Sequence, residues 1–175
     1  SFFPLLYWPI DVRQIPLSSK AARRLNRYLK NGGTIVFDTR DQQTGGRQGT
    51  AMLRSLAAGL NIPALVPVPP NHVMTKAFYL MQDFPGRWSG GRVWVEGEVN
   101  QVNDGVTRVI VGSHDWAAAW SIDRHGQPLY AVVPGGEKQR EMAYRFGVNL
   151  VMYALTGNYK ADQVHVPAIL ERLGQ

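Results

Sequence analysis

Asp38, which closes the segment TIVFD, and Ser113, His114 and Asp115, which close VIVGSHD, have side chains suited to acid–base and nucleophilic chemistry at the ends of predicted buried strands. Arg40 and Asp41 follow the first segment, and Asp11 follows an opening apolar run that carries Tyr7 and Trp8. Open α/β sheets bind ligands outside the carboxyl ends of their strands, because loops converge there. If one sheet gathers these ends, a single mouth holds carboxylates, an imidazole and a guanidinium, walled by Tyr7, Trp8 and Trp116. Asp38 or Asp115 with His114 would then supply an acid and a base for hydrolysis of a small polar or sugar-like substrate. The structural alternative is that Asp38 caps a turn and Asp115 caps the segment after it.

Several sharper readings fail on spacing. Successive residues at a strand end point in alternate directions, so Ser113, His114 and Asp115 cannot align as nucleophile, base and orienter. The hydrolase elbow G-x-S-x-G is missing, since Ser89 lies in RWSGG with Arg87 where the first glycine belongs. The glycines of TGGRQGT offer amides to a phosphate at the helix that follows. The first of them stands seven residues after Asp38, too far for the tight turn of a nucleotide fingerprint, and the segment reads as a mobile loop. His72, His114, His125 and His165 are scattered with no pair at i and i+4, so no metal site is assigned and no cofactor is expected.

A second surface stands out by charge. Lys20, Arg23, Arg24, Arg27 and Lys30 recur at three- and four-residue spacing opposite Leu25 and Leu29, with no acidic residue in that helix to relieve them. The stripe reads as a solvated face or as a contact for an anionic membrane surface or an acidic domain of the same parent protein. Nucleic acid is a poor fit, because the tryptophans are not interleaved with basic residues as a stacking platform requires.

The elements that must position these residues follow from composition and pattern. The chain has 175 residues, 45% hydrophobic and 18% charged, which suits a single domain over residues 1–175. Its formal charge of +6 favours anionic partners, and the lack of cysteine excludes disulfides, thiolate zinc sites and a cysteine nucleophile. No apolar run approaches the roughly 18 uncharged residues of a spanning helix, and no basic segment precedes the opening SFFPLLYWPI, so neither a membrane span nor a secretion signal is expected. Residues 2–8 read as a strand buried on both faces, which suggests that upstream residues continue the domain. Ser18 caps a helix that Asn31, Gly32 and Gly33 end, and residues 34–38 form the next strand. This βαβ unit predicts an α/β fold with a three-layer, mainly parallel sheet flanked by helices.

Further along, a helix is expected from Thr50 to about Leu60. Pro63, Pro67, Pro69 and Pro70 then make residues 62–71 an extended surface connector. Residues 93–99 and 106–113 read as strands turned at Asn103, Asp104 and Gly105. A final long helix, from about Glu137 to Thr156, has a charge-free second half and so should be covered on most sides in the centre of one sheet face. Gly157 should end it, and VPAILERL should form a separate short helix.

Taken in order, YWPID, LNRYLKNGGTIVFDTRD, HVMTKAFYL, PGRW, VIVGSHDWAAAW and REMAYRFGVNLVMYALTGNYKADQV resemble an uncharacterised bacterial family. Its members form the C-terminal part of large membrane proteins that begin with an aerotolerance-regulator-type segment. The resemblance implies a fold similar to class I glutamine amidotransferase-like and trehalose-utilisation-type domains, in a flavodoxin-like arrangement. Amidotransferases of that fold use a cysteine nucleophile, which this chain lacks, so their chemistry does not carry over. The reading favoured is a non-catalytic ligand-binding or interaction module, a soluble part of a membrane-anchored protein, with a hydrolase using Asp38 or Asp115 and His114 as the alternative.

Overall fold

The computed structural model describes residues 3–45, 47–97 and 107–173, with side chains described as far as Thr156. Strands β1 (Leu5–Pro9), β2 (Thr34–Asp38), β3 (Leu65–Pro67), β4 (Trp94–Glu96) and β5 (Val109–Gly112) form one open sheet in the order β1-β2-β5-β4-β3. The pairs β1·β2 and β2·β5 are parallel, whereas β4 runs antiparallel to both β5 and β3. The fold is therefore α/β with a mixed, mostly parallel five-stranded sheet. Among the described residues four α-helices accompany it: α1 (Ser19–Lys30), α2 (Gln48–Ala57), α3 (Trp116–Trp120) and α4 (Gly136–Leu173).

The expected βαβ unit forms from the features that predicted it. The Ser18 side chain accepts from the Ala21 amide at the start of α1, and Gly32 turns the chain at φ 85° after the helix. Gly33 must be glycine for a different reason: a Cβ there would lie 2.2 Å from the Tyr28 ring, which closes over the turn and donates its hydroxyl to the Thr34 carbonyl. Strand β1 departs from expectation. It is the edge strand, half-buried rather than enclosed, because only β2 pairs with it.

The proline-rich segment is also corrected, since Leu65–Pro67 is a strand and not a bare connector. Proline is tolerated there because β3 lies at the other edge of the sheet, where one side needs no ladder donor. The expected turn at Asn103–Gly105 lies outside the described residues.

The two faces of the sheet carry separate cores. Ile35, Phe37 and Val109 pack under α1 and α2, against Ala22, Leu29 and Leu56. Val36, Val95 and Ile110 point the other way, to Trp116, Phe146, Leu150 and Tyr153 of α3 and α4. This is the period-two alternation of strands covered on both sides.

Helix α4 differs from expectation twice. Gly157 does not stop it, as the helix continues to Leu173 and takes in the segment expected to form a separate helix. Nor is it covered on most sides. Tyr144 and Val148 are 40% exposed, Val151 48% and Leu155 49%, so an apolar stripe faces outward. The absence of charge described the stretch, but the helix meets the sheet along one side only, through Ala143, Phe146, Leu150 and Tyr153.

Candidate functional site

The parallel strands deliver their carboxyl ends to one edge, as the sequence predicts, and Asp38 becomes the centre of that edge. Fully buried, it accepts a 2.5 Å hydrogen bond from the Tyr7 hydroxyl and further bonds from the backbone amides of Trp116 (2.8 Å), Arg40 (3.1 Å) and Asp115 (3.2 Å). The Tyr7 hydroxyl in turn accepts from the Ala117 amide. Together Asp38 and Tyr7 occupy the first amides of α3, joining β1, β2 and the loop after β5. Burial raises the Asp38 pKa and the four donors oppose it, while burial and the adjoining Asp38 charge push the Tyr7 hydroxyl far above its usual range. Asp38 thus caps its own turn, through the Arg40 amide, and the start of α3 as well.

Asp41 plays the matching part at α2. Its carboxylate accepts from the Thr39 hydroxyl (2.5 Å) and from the amides of Gly49 (2.9 Å) and Thr50 (3.3 Å) in the first turn of that helix. The amides that would otherwise face a phosphate are therefore already occupied by the chain's own carboxylate. A Cβ at position 49 would lie 2.6 Å from the Thr39 carbonyl oxygen and 2.7 Å from Asp41, so only glycine admits this approach.

The other predicted residues separate. The Arg40 guanidinium bonds the Ile10 carbonyl and pairs with no carboxylate among the described residues, and its backbone is held at φ 56°. Asp11 is engaged at the surface with Arg13, which holds its carboxyl well below the usual range. Trp8 leans on Phe37 at the β1 edge. Asp115 stands at the N-cap position of α3 with φ 53° yet makes no side-chain cap, and its carboxylate faces Arg87 at 3.5 Å instead. Burial and the nearby Asp38 charge raise its pKa.

His114 is 1% exposed and lies flat on Trp116, with ring centroids 4.8 Å apart and an interplanar angle of 14°. Its polar contacts are the backbone of Ser113 and Gly91, so it forms no acid–base pair with Asp38 or Asp115. An expected carboxylate partner would have raised its pKa. Burial lowers it to about 4 instead. A ring that titrates near 6.5 when unfolded and near 4 when folded stabilises the domain fully above pH 6.5, and loses that contribution as pH falls toward 4. The stability gap between wild type and His114→Gln should therefore shrink by roughly 3 kcal/mol from pH 7 to pH 4. Urea titrations at both pH values measure it, and a gap that does not change with pH would refute a buried neutral ring.

The open space lies beside this edge. β2 is followed by α2 on one face of the sheet, and β5 by α3 and α4 on the opposite face. Neighbouring parallel strands whose connections leave to opposite sides define a switch point, where a crevice opens outside their carboxyl ends. A cavity of about 610 Å³ extends from there along α2. Phe37, Val111, Trp94 and Leu65 floor it, Leu53 and Ala57 of α2 wall it, and Ser113, Arg54 and Arg92 reach it from the rim. Trp94 and Val111 are direct cross-strand partners, which is why both face the same side.

Sequence reasoning missed Arg54, Arg92 and Trp94. They belong to a helix, a loop and a strand that meet only through the crossover to β3, and no spacing signals that meeting.

On the outer surface, Lys20, Arg23, Arg24, Arg27 and Lys30 are all exposed, and none makes an ion pair among the described residues. Within the same bounds no cluster of three or more His, Asp or Glu side chains is placed to hold a metal, and no helix is long and apolar enough to cross a membrane.

The fold and the edge thus define an α/β domain with a mostly parallel open sheet, whose helix N-termini at the carboxyl edge are occupied by its own side chains and whose crevice lies at a switch point. Residues 1–155 match the family described as a domain of unknown function, DUF4159, and the chain belongs to that family. No curated protein matches it.

Proposed function

We propose that this domain is a non-catalytic ligand-binding module of amidotransferase-like, flavodoxin-like arrangement, carried by a membrane-anchored bacterial protein, and that its ligand enters the crevice between α2 and the β5–β4–β3 half of the sheet. The observation that carries this reading is the engagement of the acid–base groups at the carboxyl edge. Asp38 is held by Tyr7 and three amides, Asp41 by Thr39 and the first turn of α2, and His114 lies buried against Trp116. A hydrolase would need at least one of them free to exchange a proton with substrate. The crevice has the volume and mainly apolar lining of a small-molecule site. The cationic face of α1 gives the same module an outer surface suited to an anionic membrane or an acidic domain of the parent protein.

The alternative is tested directly. The purified domain should leave nitrophenyl esters, phosphates and glycosides unhydrolysed. Turnover above buffer that disappears in both His114→Gln and Asp115→Asn, each checked for cooperative melting, would restore the hydrolase reading.

A further inference from the structure

The crevice has a chemical bias that its shape alone does not convey. Its floor is apolar and carries the rings of Phe37 and Trp94. Three charged residues besides that floor line the cavity: Asp41, Arg54 and Arg92. Asp41 keeps its charge, but its oxygens are taken by the Thr39 hydroxyl and two amides of the first turn of α2, and the two arginines outnumber it along the lining. Arg54 and Arg92 are the opposite case. Both are exposed, and neither has a hydrogen-bond or ion-pair partner among the described residues. Two arginines from different elements, α2 and the loop before β4, thus line one mainly apolar cavity, their guanidinium groups without a partner among the described residues. Guanidinium forks pair bidentately with carboxylate, sulfonate and phosphate oxygens.

We infer that the crevice selects an amphiphilic anion, an apolar body of flat or branched shape lying on Phe37, Val111 and Trp94 with one anionic head between Arg54 and Arg92. This depends on the crevice being the binding site, and it adds the class of ligand. The apolar body supplies affinity by leaving water, and the arginines supply the discrimination between charged and neutral bodies of the same shape.

A matched pair of probes separates the two contributions: 8-anilinonaphthalene-1-sulfonate and its neutral analogue N-phenyl-1-naphthylamine, followed by fluorescence titration. The sulfonate should bind more tightly than the amine. Arg54→Gln and Arg92→Gln should each weaken the sulfonate about fivefold and leave the amine unchanged. Ala57→Phe, which narrows the cavity from the α2 wall, should remove both probes, whereas Val148→Asp on the exposed stripe of α4 should affect neither. Equal binding of the two probes with no effect of either arginine variant, but loss in Ala57→Phe, overturns the anion selectivity and leaves the crevice as the site. Absence of binding by both probes, or binding that responds to Val148→Asp and not to Ala57→Phe, overturns the crevice itself.

Discussion

Replacing Asn149 by leucine should destabilise the domain by at least about 4 kcal/mol, enough to threaten folding in a protein of ordinary marginal stability. Asn149 is fully buried in α4, and its amide is saturated. The Oδ1 atom accepts from the backbone amides of Phe78 (3.2 Å) and Tyr79 (2.7 Å), and Nδ2 donates to the carbonyls of Met74 (2.9 Å) and Tyr79 (2.8 Å). One side chain thus ties the 3-10 turn at Val73–Thr75 and the irregular chain that follows it to α4. Leucine nearly conserves the volume but leaves two N–H and two C=O groups without partners, each a penalty of about 1–3 kcal/mol when buried. Asn149→Asp keeps the two acceptors and loses both donors, so it should also be destabilised, and less so at low pH, where its carboxyl can donate once. Soluble yield and thermal melting provide the readout. A leucine variant melting within 3 °C of wild type, on the order of 1 kcal/mol for a chain of this length, would show that the loop docks without this residue.

Asp38→Asn should lower stability by about 3 kcal/mol, and the melting temperature by about 10 °C. Two effects compete. Removing a buried charge recovers part of its desolvation, but the new amide group turns donors toward donors at one carboxylate position, where either the Arg40 and Asp115 amides or the Tyr7 hydroxyl and Trp116 amide now point. The second effect wins because four donors converge on this one buried group. Tyr7→Phe should cost less, about 1 kcal/mol, and the double variant should be less destabilised than the sum of the two, since both act through one network. Strict additivity in that cycle would mean that Tyr7 and Asp38 do not communicate. Neither variant should alter binding in the crevice, whose lining includes neither residue.

These two residues also mark where sequence reasoning ends. Asp38 was visible as a chemically able residue at a strand end, since TIVFD is a short β-branched run after a glycine-closed helix, and such local patterns follow from backbone sterics and period-two burial. The same local rules account for the Ser18 cap, the α1 and β2 boundaries, and the parallel pairing of β1 with β2. Asn149 gave no such signal, because its partners in the segment Met74–Tyr79 lie 70 to 75 residues away along the chain.

What only the tertiary structure decided concerns partners distant along the chain. Asp38 meets amides 77 and 78 residues away, so its role as an anchor of α3 depends on how β2 and β5 pair. His114 and Asp115 face different neighbours because the left-handed backbone at Asp115 turns the chain between one side chain and the next. The crevice exists because α2 and α3 leave adjacent strands toward opposite faces, and after α2 the chain crosses to the far edge at β3. Side-chain type and spacing report what a residue is able to do within a few positions of itself. Whether it is free to do it is set by the groups that packing brings within hydrogen-bond reach, and at this edge packing supplies Asp38, Asp41 and His114 with partners while it leaves Arg54 and Arg92 with none among the described residues.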